Sequence, residues 1–302
     1  MEIRPFSTAD ISAWAALLAV SFDRQSAEMH NLLHYLQALD PLIAYGAWDG
    51  TRLAAQYSCL LRQLHLPNQT QPVQVGLSLN MAVHPDYRGR GLIKQVAAPV
   101  YAAVREAGGI AGVGFSNAEG VKVDKRSKGY GYRVVGKMQP MLTCLLRQPR
   151  FEPLILSDTF PETMPTVTNR STGICFNDTS RWLRQRFDRH PFRQYQYAFG
   201  EDGVVVFRPN PHTVSLLAAH GTNIPTLINR WLATLWQSGI RYIHTLTSPA
   251  STIKAALQQT ALTISLPYTR TPYYLTAKPL RDETPDGLFD FGRWDCIGGV
   301  IL

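Results

Sequence analysis

Chemistry in this chain concentrates in the run VHPDYRGRGLIKQV, Val83 to Val96. The preceding VQVGLSLNMAV alternates apolar and small or polar residues, which predicts a strand ending at Val83. Leu92 onward carries helical periodicity to about Ala107, where Gly108 and Gly109 end it. Arg88, Gly89, Arg90 and Gly91 therefore sit at a strand-to-helix junction, with Pro85 turning the chain. The first turn of a helix leaves backbone N–H groups unpaired and carries partial positive charge. Glycine there lets an anion approach the backbone closely, and the guanidiniums add donors and charge. These residues in this order predict a site for a phosphate-rich anion, best fitted by a diphosphate.

Other chemistry is thinner. The strand's polar face offers Ser78 and Asn80, able to hold a water or orient a polar reactant, and it carries no carboxylate. His30 and His34 are one helical turn apart without a third ligand following, so no metal is expected. Cys59, Cys144, Cys175 and Cys296 lack the CxxC spacing of a zinc site or a disulfide framework, which fits a reducing cytoplasm. Neither a Gly-x-Ser-x-Gly elbow nor a phosphate-loop lysine motif is found.

The elements that must position the junction are legible in outline. A strand at EIRPF is followed by a helix capped at Ser7 or Thr8. A second helix stops before Pro41, and a hairpin turns at Asp49-Gly50. After the junction helix come the strand IAGVGFS, a basic polar segment and the strand YRVVGKMQPMLTCLLR. Residues 1–148 thus read as a mixed α/β domain. The proline-rich stretch 149–168 reads as a linker, and residues 169–302 repeat the order weakly, as a diverged duplication would. Five arginines there, Arg181, Arg184, Arg186, Arg189 and Arg193, read as a solvated helix face.

With the junction in view, VHPDYRGRGL resembles the acyl-CoA motif of the GCN5-related N-acetyltransferase (GNAT) superfamily, Gln/Arg-x-x-Gly-x-Gly/Ala at the start of a helix. Arg88 and Gly91 match its first two fixed positions, and Ile93 stands where a small residue is usual. The later GFSN…GYGYRVVG is similar to that family's next strand, helix and strand. The resemblance implies an α/β fold with a mixed central sheet and helices on both faces, duplicated in tandem: an intact domain at 1–148 and a degenerate one at 169–302 that binds the acceptor or is structural. It further implies coenzyme A bound with its pyrophosphate on Arg88, Gly89, Arg90, Gly91, Leu92, Ile93 and Lys94, and its pantetheine arm along Met81, Ala82 and Val83. Asn117 would contact the far part of the cofactor, with Lys125 or Arg126 near its phosphates. A backbone N–H of the Met81–Val83 strand would be the oxyanion donor. Aligning GYGY with the family's last strand puts Ser127 at the slot of the usual acid tyrosine; Tyr130 close by is the preferred acid, with Ser127 behind it and Tyr132 a core residue. By resemblance to N-myristoyltransferases, built from two such domains, the Leu302 carboxylate is a further candidate base.

The implied activity is transfer of an acetyl or longer acyl group from acyl-CoA to a primary amine on a small molecule, sugar or peptide. The alternatives are a non-catalytic acyl-CoA-binding regulator and an acyltransferase fed by an acidic acyl carrier protein. The net charge of +8 over 302 residues is compatible with each anionic partner. No nucleic acid is expected, because a recognised motif or aromatics interleaved on a basic face are missing. No membrane span is expected either, since no apolar run is long enough.

Overall fold

The computed structural model describes residues 1–67, 69–126, 131–165, 171–267 and 271–301, with backbone alone at 123–126. The N-terminal half opens with strand β1 (Glu2–Pro5), helices α1 (Ile11–Phe22) and α2 (Ser26–Leu39), and strands β2 (Leu42–Asp49), β3 (Arg52–His65) and β4 (Val73–Val83). Helix α3 (Leu92–Glu106), strand β5 (Ala111–Asn117), helix α4 (Ala118–Arg126) and strands β6 (Arg133–Lys137) and β7 (Gln139–Cys144) follow. The second half contains β8 (Ile155–Ser157), β9 (Cys175–Phe176), α5 (Ser180–Asp188), β10 (Gln196–Gly200), β11 (Gly203–Pro209) and β12 (Thr213–Gly221). It ends with α6 (Ile224–Gln237), β13 (Tyr242–Thr247), α7 (Thr252–Thr260), β14 (Leu262–Ser265) and β15 (Tyr273–Pro279).

These strands build two sheets of matching design. The first runs β1-β2-β3-β4-β5-β15-β6, with β9 paired to β3, and the second runs β8-β10-β11-β12-β13-β7-β14. Every neighbouring pair on these two paths is antiparallel except one in each sheet, β4 with β5 and β12 with β13. A helix crosses over between the parallel strands in both cases, α3 in the first and α6 in the second. The correspondence holds position by position, which is the signature of a duplicated unit.

The duplication carries an exchange. Strand β15, from the end of the chain, lies between β5 and β6 of the first sheet, while β7 lies between β13 and β14 of the second. The run read as one strand after Tyr132 is therefore two strands, parted at Met138, that serve different sheets. The stretch 149–168 holds β8, which pairs with β10 at the edge of the second sheet. The chain's boundary at 149–168 thus separates sequence halves whose sheets interlock.

Helices cover both faces of the first sheet. On α3, Leu92, Ile93, Val96, Ala97, Val100, Tyr101 and Val104 are buried, two per turn on one stripe, and pack on Ala55, Tyr57 and Cys59 of β3. On the opposite face, Trp14, Leu18 and Leu33 of α1 and α2 pack on Ala44, Trp48 and Leu53. In the second sheet Trp231 and Leu232 of α6 pack on Phe207, and Trp182, Leu183 and Phe187 of α5 cover the other face around Tyr197. Among the described residues, no helix is long and apolar enough to cross a membrane.

The five-arginine segment is not uniformly a solvated face. Arg186 is 1% exposed: its Nη1 donates to Tyr35 Oη at 3.1 Å and its Nη2 to the Ile301 carbonyl at 3.1 Å. Arg184 donates to the carbonyls of Pro161 and Glu162. Both are structural ties, and Arg186 fixes the chain's last described residues against α2.

Helix α1 is seated by a small polar knot. The Asp10 carboxylate accepts from Arg4 Nη1 and Nη2, both at 2.8 Å, and from the Ser7 backbone N–H and hydroxyl at 2.8 and 2.7 Å. The Arg4 hydrogen bonds hold the carboxyl well below the usual carboxylate range. A depressed folded-state pKa contributes stability that is present above the unfolded value and lost as pH falls below it. Asp10→Ala should therefore lower unfolding stability at pH 7 by about 1–2 kcal/mol. In urea titrations the gap between variant and wild type should close as the pH drops below about 3.9. A gap unchanged at low pH would place the loss elsewhere.

Candidate active site

Strands β4 and β5 pair in parallel only at Val75–Ala111, Gly76–Gly112, Leu77–Val113 and Ser78–Gly114. Beyond Ser78 they part, for two reasons. Strand β5 stays zipped to β15 along its whole length, from Ala111–Pro279 to Asn117–Tyr273. Strand β4 stays with β3 but carries a bulge: Leu79 pairs with Ser58 and Ala82 with Gln56, leaving Asn80 and Met81 opposite Tyr57. Asn80 takes φ +43° there, and its carbonyl accepts from the Gln56 side-chain amide. The extra residue also reverses the strand's faces. Val75, Leu77 and Leu79 lie in the cluster under α2, whereas Met81 and Val83 pack toward α3, so the single alternation read through Val83 breaks at Asn80.

The parting opens a cleft of about 1070 Å³ whose lining includes Ser78 to Val83, Arg88 to Lys94 and Gly114 to Asn117. At its mouth stands the start of α3. Its N-cap is Gly91 at φ +70°, following Gly89 at φ +80°, and a Cβ built on either would meet nothing within 4 Å. The glycines thus leave an open cradle beside the first helical N–H groups. The turn beneath is braced: Tyr87 Oη donates to Asp49 at 2.8 Å, Arg52 pairs with Asp86 at 2.7 Å, and the Arg90 guanidinium lies over the Tyr87 ring at 4.8 Å. Arg88, Arg90 and Lys94 are exposed around the cradle. This geometry presents open glycines, free helix-start N–H groups and three cationic side chains to an anion.

Most of the residues expected at the site converge on this cleft. Met81, Ala82, Val83, Arg88, Gly89, Arg90, Gly91, Leu92, Ile93, Lys94, Ser78, Asn80 and Asn117 all line it. Ile93 is 8% exposed and packs in the α3 core while contributing to the cleft wall. Asn117 caps α4, its Oδ1 accepting from the Gly120 N–H at 2.9 Å. Ser78 Oγ lies 2.6 Å from Tyr57 Oη. Tyr132 is buried, 5.9 Å from the Tyr101 ring. Ser127, Tyr130 and Leu302 lie outside the described residues, as do the side chains of Lys125 and Arg126.

The sequence reading missed one wall of the cleft. Ser21 and Phe22 come from the end of α1, Tyr273 from the exchanged strand, and Val300 and Ile301 from the far end of the chain. No local pattern marks them, because their positions follow from sheet order and from the Arg186 tie.

The second half holds a counterpart with its features altered. Strands β12 and β13 pair in parallel from Thr213–Tyr242 to Leu216–Thr245 and then part. The start of α6 is closed by its own residues: Asn223 accepts from the Thr226 N–H at 3.1 Å, and Pro225 occupies the first turn. Residues 297–300 fill the gap between the strands. Ile297 bridges to Thr247, and a Cβ on Gly299 would lie 2.1 Å from the Leu217 carbonyl oxygen. A separate cavity of about 450 Å³ remains beside α6, with Asp178, His220 and Asp295 in its lining.

Residues 2–133 match the family model of the acetyltransferase (GNAT) domain, so the N-terminal domain is a GNAT domain. The whole chain has the fold of tandem GNAT proteins. It superposes on a tandem GNAT protein from the clavulanic acid biosynthesis pathway with a TM-score of 0.54 at 13% identity, covering 93% of this chain and 99% of that one. An Enterococcus faecalis protein described as a probable N-acyltransferase gives 0.67 at 12% identity, with 94% and 73% covered. Eis1 from Mycobacterium abscessus gives 0.62 at 15% identity, with 93% and 74% covered. A search of curated protein sequences finds no match.

Proposed function

We propose that this protein is an acyl-CoA-dependent N-acyltransferase whose reaction centre is the β4–β5 cleft. The observation that carries this reading is the open glycine cradle at the start of α3, set at the mouth of a gap between parallel strands. The pyrophosphate rests on the backbone from Arg88 to Lys94, with Arg88, Arg90 and Lys94 supplying charge. The pantetheine arm lies along Met81 to Val83, which brings the thioester to the bulge. There a backbone N–H of the strand meets the oxyanion.

The acceptor is a primary amine of a small molecule, amino sugar or peptide, entering past Ser21, Phe22 and Tyr273 with Asn80 positioned to orient it. Its nitrogen attacks the thioester carbonyl directly in a ternary complex. The C–N bond forms and the C–S bond breaks; the nitrogen gives up its surplus proton to water in the cleft, the departing thiolate takes a proton from Tyr130 or Ser127, and that hydroxyl is reprotonated from solvent. The second domain acts as scaffold and as one wall of the acceptor side.

The test is to incubate the protein with acetyl-CoA, a long-chain acyl-CoA or an acylated carrier protein, together with a panel of amines, and follow free thiol. Thiol release that depends on the amine is the expected result. Binding of acyl-CoA without turnover for any amine would instead make the protein an acyl-CoA sensor.

A further inference from the structure

We propose that Ser78, held by Tyr57 and Tyr101, closes the acyl end of the cleft and restricts the donor to short chains such as acetyl. This inference rests on the acyl-CoA reading of the cleft and adds the residue that selects among acyl-CoAs.

The cleft has a direction. Its phosphate end is fixed at Gly91, and its other end is the point where β4 and β5 rejoin at Ser78 and Gly114. From Val83 to Ser78 the strand spans about 16 Å, at 3.3 Å per residue. A thioester anchored by its phosphates at the mouth therefore carries its acyl group toward that junction.

The junction is closed by packing. A Cβ on Gly114 would lie 3.4 Å from Ser78 Cβ and 3.1 Å from Thr276 Oγ1, so even one added carbon there would touch Ser78 and press on Thr276. Thr276 is 3% exposed and donates to the Gly114 carbonyl at 3.2 Å. Behind Ser78 stands Tyr57, 0% exposed.

The Ser78 rotamer is held by a chain of hydroxyls. Tyr101 Oη donates to Tyr57 Oη at 2.8 Å, and Tyr57 Oη lies 2.6 Å from Ser78 Oγ. Tyr57 accepts from Tyr101 and shares a hydrogen bond with Ser78 in which either hydroxyl can donate, and that contact anchors the Ser78 oxygen against β3. Burial raises the Tyr101 pKa well above its ordinary value, keeping the first donor protonated. Ser78 is thus a stop held in place, and Tyr57 and Tyr101 are positioning residues behind it.

Calorimetric titration with CoA, acetyl-CoA and hexanoyl-CoA tests this. The wild type should bind acetyl-CoA roughly tenfold or more tightly than hexanoyl-CoA, because a longer chain must overpack the junction. Ser78→Gly should narrow that ratio to about threefold or less, and Tyr57→Phe, which keeps the ring, should move it in the same direction. Ser78→Val should lower the ratio of acetyl-CoA to CoA affinity. Equal binding of acetyl- and hexanoyl-CoA by the wild type overturns the inference, as does a preference that Ser78→Gly and Tyr57→Phe both leave intact. If no CoA species binds, the acyl-CoA reading itself falls, and this inference with it.

Discussion

A chain truncated after Gln148 should fail to unfold cooperatively, although it contains the whole stretch that matches the acetyltransferase domain. Truncation removes β15, and with it the pairing partner of both β5 and β6. It also strips the first core of Leu275, Leu288, Trp294, Phe176 and Ile174, all buried in the cluster that contains Leu60, Leu64 and Leu77. Each large apolar side chain lost from such a core removes about 1.5–3 kcal/mol of burial, against a total domain stability of about 5–15 kcal/mol. The surviving β7 becomes an apolar strand without its sheet. Circular dichroism on heating should show a broad, shallow change for residues 1–148, and coexpression with residues 149–302 should restore a single sharp transition. A fragment that melts sharply and binds acetyl-CoA as the full chain does would show that the exchanged strand is dispensable.

Gly91→Glu should cost about a hundredfold or more in acetyl-CoA affinity with the fold intact, since charge-assisted phosphate contacts are replaced by like-charge repulsion. The side chain would enter open space, so the neighbours do not resist it. Its carboxylate would stand in the phosphate cradle. The backbone at φ +70° adds strain for any non-glycine residue, and Gly50→Glu controls for that: Gly50 has φ +59° and equally open surroundings at the β2–β3 turn. The two variants should lose similar stability in thermal melts, and only Gly91→Glu should lose acetyl-CoA binding in titration calorimetry. Equal affinities in the two would remove the cradle from the donor site.

The proposed donor half of the site is local in the chain, which is why its residues could be grouped from the sequence and are found lining one cleft. A strand, a turn and a helix start are consecutive, and the residue types that bind phosphate there are the ones that form the turn. Ile93, the apparent misfit, belongs to the buried stripe of α3 as well as to the cleft wall. The bulge at Asn80 escaped notice because Leu79, Met81 and Val83 keep an apolar alternation that a flat strand would also show. The wall proposed for the acceptor was out of reach for a different reason. Tyr273, Val300 and Ile301 arrive through pairings between residues about 160 apart in sequence or through the buried Arg186, whose neighbours in α5 read as an ordinary basic helix. The exchange hid equally well, because β7 and β15 have the composition of strands that would serve their own halves.

The exchanged strands also set a schedule for synthesis. Strand β5 emerges from the ribosome with β4 already made, yet its other partner is β15. Some 140 residues separate the end of β6 from the end of β15. At about 5–20 residues per second, roughly 7–28 s pass before the first sheet can close. During that interval the facing edges of β5 and β6 are unpaired in a nascent chain, where exposed strand edges invite pairing with other chains. The first sheet, though first begun, closes only after β14, the last strand of the second sheet, has been made.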